Sequence, residues 1–356
     1  MANSSSPINN LEVLPPTSDS YMWADYIELL CLTSTDGRIS RADAVDFIRQ
    51  RAEDLKEGKP LEGDEAEEQE IADEMDIEDE DVDDVTEVIL APEEADDKWE
   101  RRADDWFNDL AYRIGAFGEF YPFKLAAGKR ALQLRKAKAS LTIKHKLYLF
   151  LLFASNLRHF GRREISNISS VFEVASFYAL ETYLPASANL HMFGKHPLNT
   201  GRYTGLLWNK LHALTKDLKE EVICIKENFK PTDTGDAGLD LVAWLPIEDE
   251  DNLMPGFLLV FAQCACTPEW VTKQMETHYD TWSNYMSFTS YPFRFTFIPF
   301  CFRKANGSWY EKTKIRKTAV IDRLRIINLL RGKESKLKSH ITTHVNNVLG
   351  NAVQVW

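Results

Sequence analysis

Gly235-Asp236-Ala237-Gly238-Leu239-Asp240-Leu241-Val242-Ala243-Trp244 is a run of glycines and acids that passes straight into an apolar strand. Glycines at 235 and 238 permit tight backbone angles, so 233–238 is expected to be a turn-rich entry loop and Leu239–Leu245 a strand. Some twenty residues later, Phe257-Leu258-Leu259-Val260-Phe261-Ala262-Gln263 opens a second apolar strand, expected over Phe257–Ala265. If the two strands are neighbours, the start of one and the end of the other share a sheet edge, which brings the Asp240 carboxylate and the Gln263 amide together. Oxygen ligands presented this way suit a hard divalent cation. A carboxylate in an apolar strand is costly without a partner, so Asp240 is expected to hold a metal. Asp236 is expected to be a turn residue in preference to a second ligand.

The flanking pattern extends the reading in both directions. Leu207, Leu211, Leu214 and Leu218 recur at helical spacing within Leu206–Glu221, and Val222-Ile223-Cys224-Ile225 then reads as a short strand. After the second apolar strand, Pro268 to Glu276 reads as a helix with Thr267 as its N-cap, which puts Lys273 in its second turn. An aromatic strand is expected from Phe293 to Phe302. The expected order is therefore helix, three strands, helix, strand.

Gly205 to Phe302, under a third of the chain, resembles the core of the PD-(D/E)xK nucleases, and Gly235–Asp240 is similar to the GDxGxD motif of Mrr-type restriction endonucleases. The resemblance implies a restriction-endonuclease-like α/β core of αβββαβ order with a mixed sheet. It also implies Mg²⁺ or Mn²⁺ on Asp240, with Gln263 as second ligand or as its orienter. The family places a lysine two residues after this Gln, and here that residue is Ala265. Either the ammonium comes from elsewhere or the site is silent, because without it nothing in Gln263-Cys264-Ala265 neutralises charge developing on a phosphate. Lys273, on the following helix, is the expected replacement; its other reading is a solvated helix lysine. Glu220, Glu221 and Glu227 are the nearby acids available to complete the metal shell, and Glu227 is the one selected. Asp240, Gln263 and Lys273 are thus the expected catalytic set. The resemblance implies a DNA endonuclease of a bacterial anti-phage or restriction-type defence system. The alternative is a silent nuclease fold acting as a DNA-binding or scaffolding subunit.

The 356 residues are 44% hydrophobic, enough for two or three domains. The expected divisions are an N-terminal helical module over 1–60, an acidic disordered linker over 61–98, a helical domain over 99–200, and the nuclease domain with C-terminal helices over 201–356. Twenty of the 55 acidic residues, and no Lys or Arg, lie between Glu62 and Asp97, so elsewhere 42 basic residues face 35 acidic ones, a net charge of +7. The overall charge of −13 therefore does not exclude nucleic acid. Arg303, Lys304, Lys312, Lys314, Arg316 and Lys317 are the expected DNA contacts, since clustered cations bind phosphates without regard to sequence. The N-terminal helical regions are expected to dock a protein partner. Five unpatterned cysteines and no long apolar run fit a cytoplasmic protein without a membrane span.

Overall fold

The computed structural model describes residues 7–8, 11–16, 19–56, 92–194, 202–248 and 253–350. They fall into two units. The first comprises the described residues of Met1–Ser169, Phe300–Tyr310 and Glu334–Trp356, and the second those of Ser170–Pro299 and Glu311–Lys333. The expected boundary at residue 200 lies inside the second unit, which takes up the chain from Ser170, and the C-terminal helix belongs to the first. Most of the acidic tract, residues 57–91, lies outside the described residues; from Pro92 onward the chain is helical, so the expected linker ends earlier than residue 98.

In the first unit, α1 (Ser20–Thr33) is buried from Tyr21 to Thr33. It is a core helix, and a docking partner would have to use other surfaces, such as the partly exposed α2 (Arg41–Lys56). Its buried acids are matched by α3 (Pro92–Phe117): Arg113 donates to Asp25 at 2.5 Å and lies 3.0 Å from Glu28. Tyr121 and Tyr148 donate to Glu28 at 2.7 and 2.8 Å, and Ser155 donates to Asp25 at 2.7 Å. Buried charges persist in this way only where their lone pairs are satisfied. Beside them Trp23 stacks on Trp106 with ring centroids 4.9 Å apart. The helical domain expected over 99–200 also carries strands. β2 (Phe123–Leu125) and β3 (Ala131–Leu134) pair antiparallel, and β1 (Arg38–Ser40) joins β3 from the other side. Strands of three or four residues are too short to leave a readable period. The apolar run at 147–154 lies in a buried helix, α4 (Ile143–Ala154), started by a Thr142–His145 capping box.

The second unit is an α/β layer built on a mixed five-stranded sheet. Its helix α5 (Arg162–Tyr183, here from Ser170) leads into β4 (Asn189–Met192), followed by α6 (Leu207–Leu218), β5 (Leu241–Leu245) and β6 (Leu258–Cys264). Two one-turn helices, α7 (Trp270–Lys273) and α8 (Tyr279–Trp282), precede β7 (Phe293–Phe297), β8 (Ala319–Ile321) and α9 (Arg323–Leu330). β4, β5 and β6 are antiparallel; β6, β7 and β8 are parallel. Residues 265–292 form the long crossover that a parallel pair requires. One sheet face, with Val242, Trp244, Leu259 and Phe261, packs against the Leu207, Leu211, Leu214 and Leu218 stripe of α6 and against Trp282 and Met286. On the other face Tyr183 of α5 meets Phe295, ring to ring, at 5.5 Å.

Three local expectations are corrected. Val222–Ile225 is not a strand of the sheet; Val222 makes an isolated bridge to Met286, and the first strand is β4. The helix after Pro268 has a single turn with Glu269 at its N-cap, and Lys273 is its last residue. The aromatic strand stops at Phe297. Among the described residues, no helix is long and apolar enough to cross a membrane.

Candidate functional site

Because β5 and β6 are antiparallel, the entry of one and the exit of the other lie at one edge. Asp240 donates its backbone N–H to Ala262 at 3.1 Å, and its carboxylate Oδ2 accepts from the N–H of Cys264 at 2.6 Å. That bond favours the ionised form, yet the Asp240 carboxyl is held well above the usual carboxylate range. Burial is the main cause, followed by the charges of Glu173, Asp236 and, more weakly, Glu276. Glu173, half-buried on α5, is pushed up to about 8 by burial and by Asp236. Four carboxyl groups, from α5, the entry loop, the residue before β5 and the crossover, thus act on one another at one sheet edge.

Glu173 is the residue that sequence reading misses. Its neighbours Phe172, Val174 and Ala175 are buried, and an acid in an otherwise apolar stretch is the signal that could have found it. Asp236, expected to be a turn residue, is one: its Oδ1 accepts from the N–H of Gly238 at 2.9 Å. Its charge nevertheless acts on both Glu173 and Asp240. The loop is tight because Gly238 has φ +73°, and a Cβ placed there would fall 2.3 Å from the Glu276 Cβ. Gly238→Ala is therefore expected to destabilise the fold by about 2–4 kcal/mol in chemical denaturation, through both backbone strain and displacement of Glu276. Unchanged stability would show that the loop yields freely.

Gln263 sits where expected, at the exit of β6. It is 6% exposed, and its Oε1 has no hydrogen-bond partner among the described residues. A buried carbonyl oxygen left unmatched is an acceptor poised for a cation or a donor. Ala265 is buried and bonded through its N–H to Phe297 O at 2.9 Å. Half-buried Lys273 acts electrostatically on the Cys266 thiol, which also feels Glu173 and Asp240. Glu227 is a correction: it is exposed on the turn Lys226–Asn228, and the carboxylates that act on Asp240 are Glu173, Asp236 and Glu276. Glu220 serves locally, accepting from Ser287 Oγ at 2.8 Å and Thr289 N–H at 2.7 Å.

The basic residues divide between the units. Arg303 and Lys304 belong to the first, where the Arg303 guanidinium lies 4.9 Å from the Trp309 ring centroid. Lys312, Lys314, Arg316 and Lys317 belong to the second, and all but Lys314 are exposed. Their loop is tied to the end of α7. Buried Gln274 donates to Lys314 O and accepts from Arg316 N–H, both at 2.9 Å. Arg294 donates to the carbonyls of Gln274, Arg316 and Lys317 at 2.9, 2.6 and 3.1 Å. The segment that carries Lys273 is thus pinned to this basic loop. Arg323, by contrast, is fully buried and donates to Pro299 O at 2.7 Å, a structural role.

Among the described residues, no three His, Cys, Asp or Glu side chains form a ready-made metal cage. The donor chemistry nonetheless suits a hard divalent cation: carboxyls of raised pKa and an orphaned amide oxygen are oxygen donors, and a cation would offset the carboxylates' mutual repulsion. Compared with known proteins, the chain matches no family model, no curated protein and no solved structure.

Proposed function

We propose that this chain is a Mg²⁺- or Mn²⁺-dependent DNA endonuclease whose second unit is a PD-(D/E)xK-like core, working in a bacterial anti-phage or restriction-type defence system. The observation that carries the reading is the meeting of Asp240 with the end of β6 within electrostatic reach of Glu173, Asp236 and Glu276, together with the unpartnered Gln263 Oε1 on that strand. The order α5, β4, β5, β6, crossover helices, β7 supports it, with α6 as an insertion after the first strand. The nuclease motif resemblance at Gly235–Asp240 supports it too.

In this reading Asp240 and Glu173 hold the ion, with Asp236 and Gln263 beside them. A bound divalent cation supplies Lewis acidity and neutralises negative charge on the phosphodiester. Lys273 places its ammonium against the phosphate oxygens, taking the part that Ala265 cannot. Lys312, Arg316 and Lys317 hold the DNA backbone. A protein partner engages the helical first unit. Buried Ala265 favours the second reading, a silent fold that binds DNA without cutting it.

Plasmid cleavage at low salt with Mg²⁺ or Mn²⁺ separates the two. The intact chain is expected to cut, and Lys273→Ala to cut about 10²–10³-fold more slowly, the usual loss when one stabilising donor is removed. Cutting at the full rate by Lys273→Ala would remove the lysine from the mechanism. No cutting by the intact chain, with DNA binding retained, would favour the silent fold.

A further inference from the structure

We propose that Lys210 is a positioning residue of the acid site, its ammonium clamping the entry loop from inside the core so that Asp236 is held beside Asp240 and Glu173. The assignment rests on the metal-dependent reading above. Lys210 occupies the second turn of α6, three residues after Leu207, on the stripe that packs against the sheet. Pattern alone would put an apolar residue there. The side chain is 1% exposed, so its charge has been taken out of water. An ammonium in such a place needs close acceptors, and it has them: Nζ donates to Thr234 O at 2.9 Å and to Gly235 O at 2.6 Å. It also lies 5.7 Å from the centroid of the Phe193 ring. Asp236 and Asp233 are both within electrostatic reach of it.

The two carbonyls it grips immediately precede Asp236. Downstream, the loop is fixed by Asp236 itself, which accepts from Gly238 N–H, and by Gly194, where a Cβ would come within 3.2 Å of the Asp236 Cβ. Upstream, Leu207 donates its N–H to Asp233 O at 2.8 Å. Lys210 is the link between these anchors, and the one that brings a positive charge. A methionine would fill much the same space and suit the stripe better, so packing does not explain a lysine here. Holding two carbonyls and offsetting the carboxylates does.

The test is Mn²⁺ affinity of the full chain by calorimetry near neutral pH, well below the melting temperature, for the wild type, Lys210→Met and Leu214→Ala. Leu214→Ala opens a cavity on the same helix face and leaves the hydrogen bonds from Lys210 to the loop in place. Both variants are expected to melt earlier, but Lys210→Met alone to bind Mn²⁺ about tenfold or more weakly, the usual penalty for removing a group that orients ligands. Should Lys210→Met not fold, Lys210→Gln, which keeps N–H donors but not the charge, is measured with the same expectation. Wild-type affinity in the folded variant, or an equal loss in Leu214→Ala, would overturn the assignment. Absence of Mn²⁺ binding by the wild type itself would overturn the metal-dependent reading, and this inference with it.

Discussion

Asp240→Asn is expected to abolish metal-dependent cleavage while making the metal-free protein more stable. The two effects have one origin. Asp240 is buried among Glu173, Asp236 and Glu276, whose charges raise the cost of ionising it. An amide of the same shape keeps an oxygen to accept from the Cys264 N–H, and it removes one carboxylate from the cluster. Relief of that cost is expected to raise the melting temperature in EDTA by a few degrees. The same change would remove the proposed charged ligand, and activity is expected to fall about 10³-fold or more. Cleavage gels and melting curves on one preparation suffice. A variant losing activity and stability together would show Asp240 to be a structural acid.

The second large effect is a dependence of metal-free stability on pH opposite in sign to that of an ordinary salt-bridged carboxylate. Glu173 has an ordinary value of 4.5 and is raised to about 8 in the folded chain. Between those values the folded protein holds a proton that the unfolded chain has lost, so stability falls as pH rises from about 4.5 to about 8. Below the window both forms are protonated, and above it both are ionised, so the slope vanishes at either end. The raised Asp240 carboxyl adds a slope of the same sign, and the charges of Asp236 and Glu276 face it. If the proposed site binds Mn²⁺, the ion competes with these protons, so its stabilisation is expected to grow with pH and to cancel the fall. Melting temperatures in EDTA and in Mn²⁺ from about pH 5 to about pH 8.5 check this. Glu173→Gln should flatten the EDTA curve; an unchanged slope in that variant would take Glu173 out of the cluster.

The sequence was informative where the chemistry is local and silent where it depends on long-range pairing. The strands expected at Leu239–Leu245 and Phe257–Ala265 are β5 and β6 with a residue or two trimmed, and the expected edge between Asp240 and Gln263 exists. Both are continuous apolar runs, which announce a buried strand. The helix expected over Leu206–Glu221 is α6, because its leucine stripe repeats through three turns. β4 escaped because Asn189-Leu190-His191-Met192 is a short edge strand, with an exposed Asn and a His whose ring lies 5.3 Å from Trp244. Nothing local distinguishes it from Val222–Ile225, which has the stronger β-forming composition yet lies outside the sheet. Glu173 and Lys210 went unread for a common reason. A charged residue in a helix is ordinarily solvated, and its burial is decided by elements distant in the chain.

In the proposed function the acid edge of the second unit binds a divalent cation through Asp240 and Glu173. Calorimetric titration of Mn²⁺ into the intact chain near pH 7, in two buffers of different ionisation enthalpy, tests it most directly. The expected result is saturable binding with release of protons from the raised carboxyls, lost in Asp240→Asn. Heat that never saturates, or binding that persists unchanged in Asp240→Asn without proton release, would contradict it.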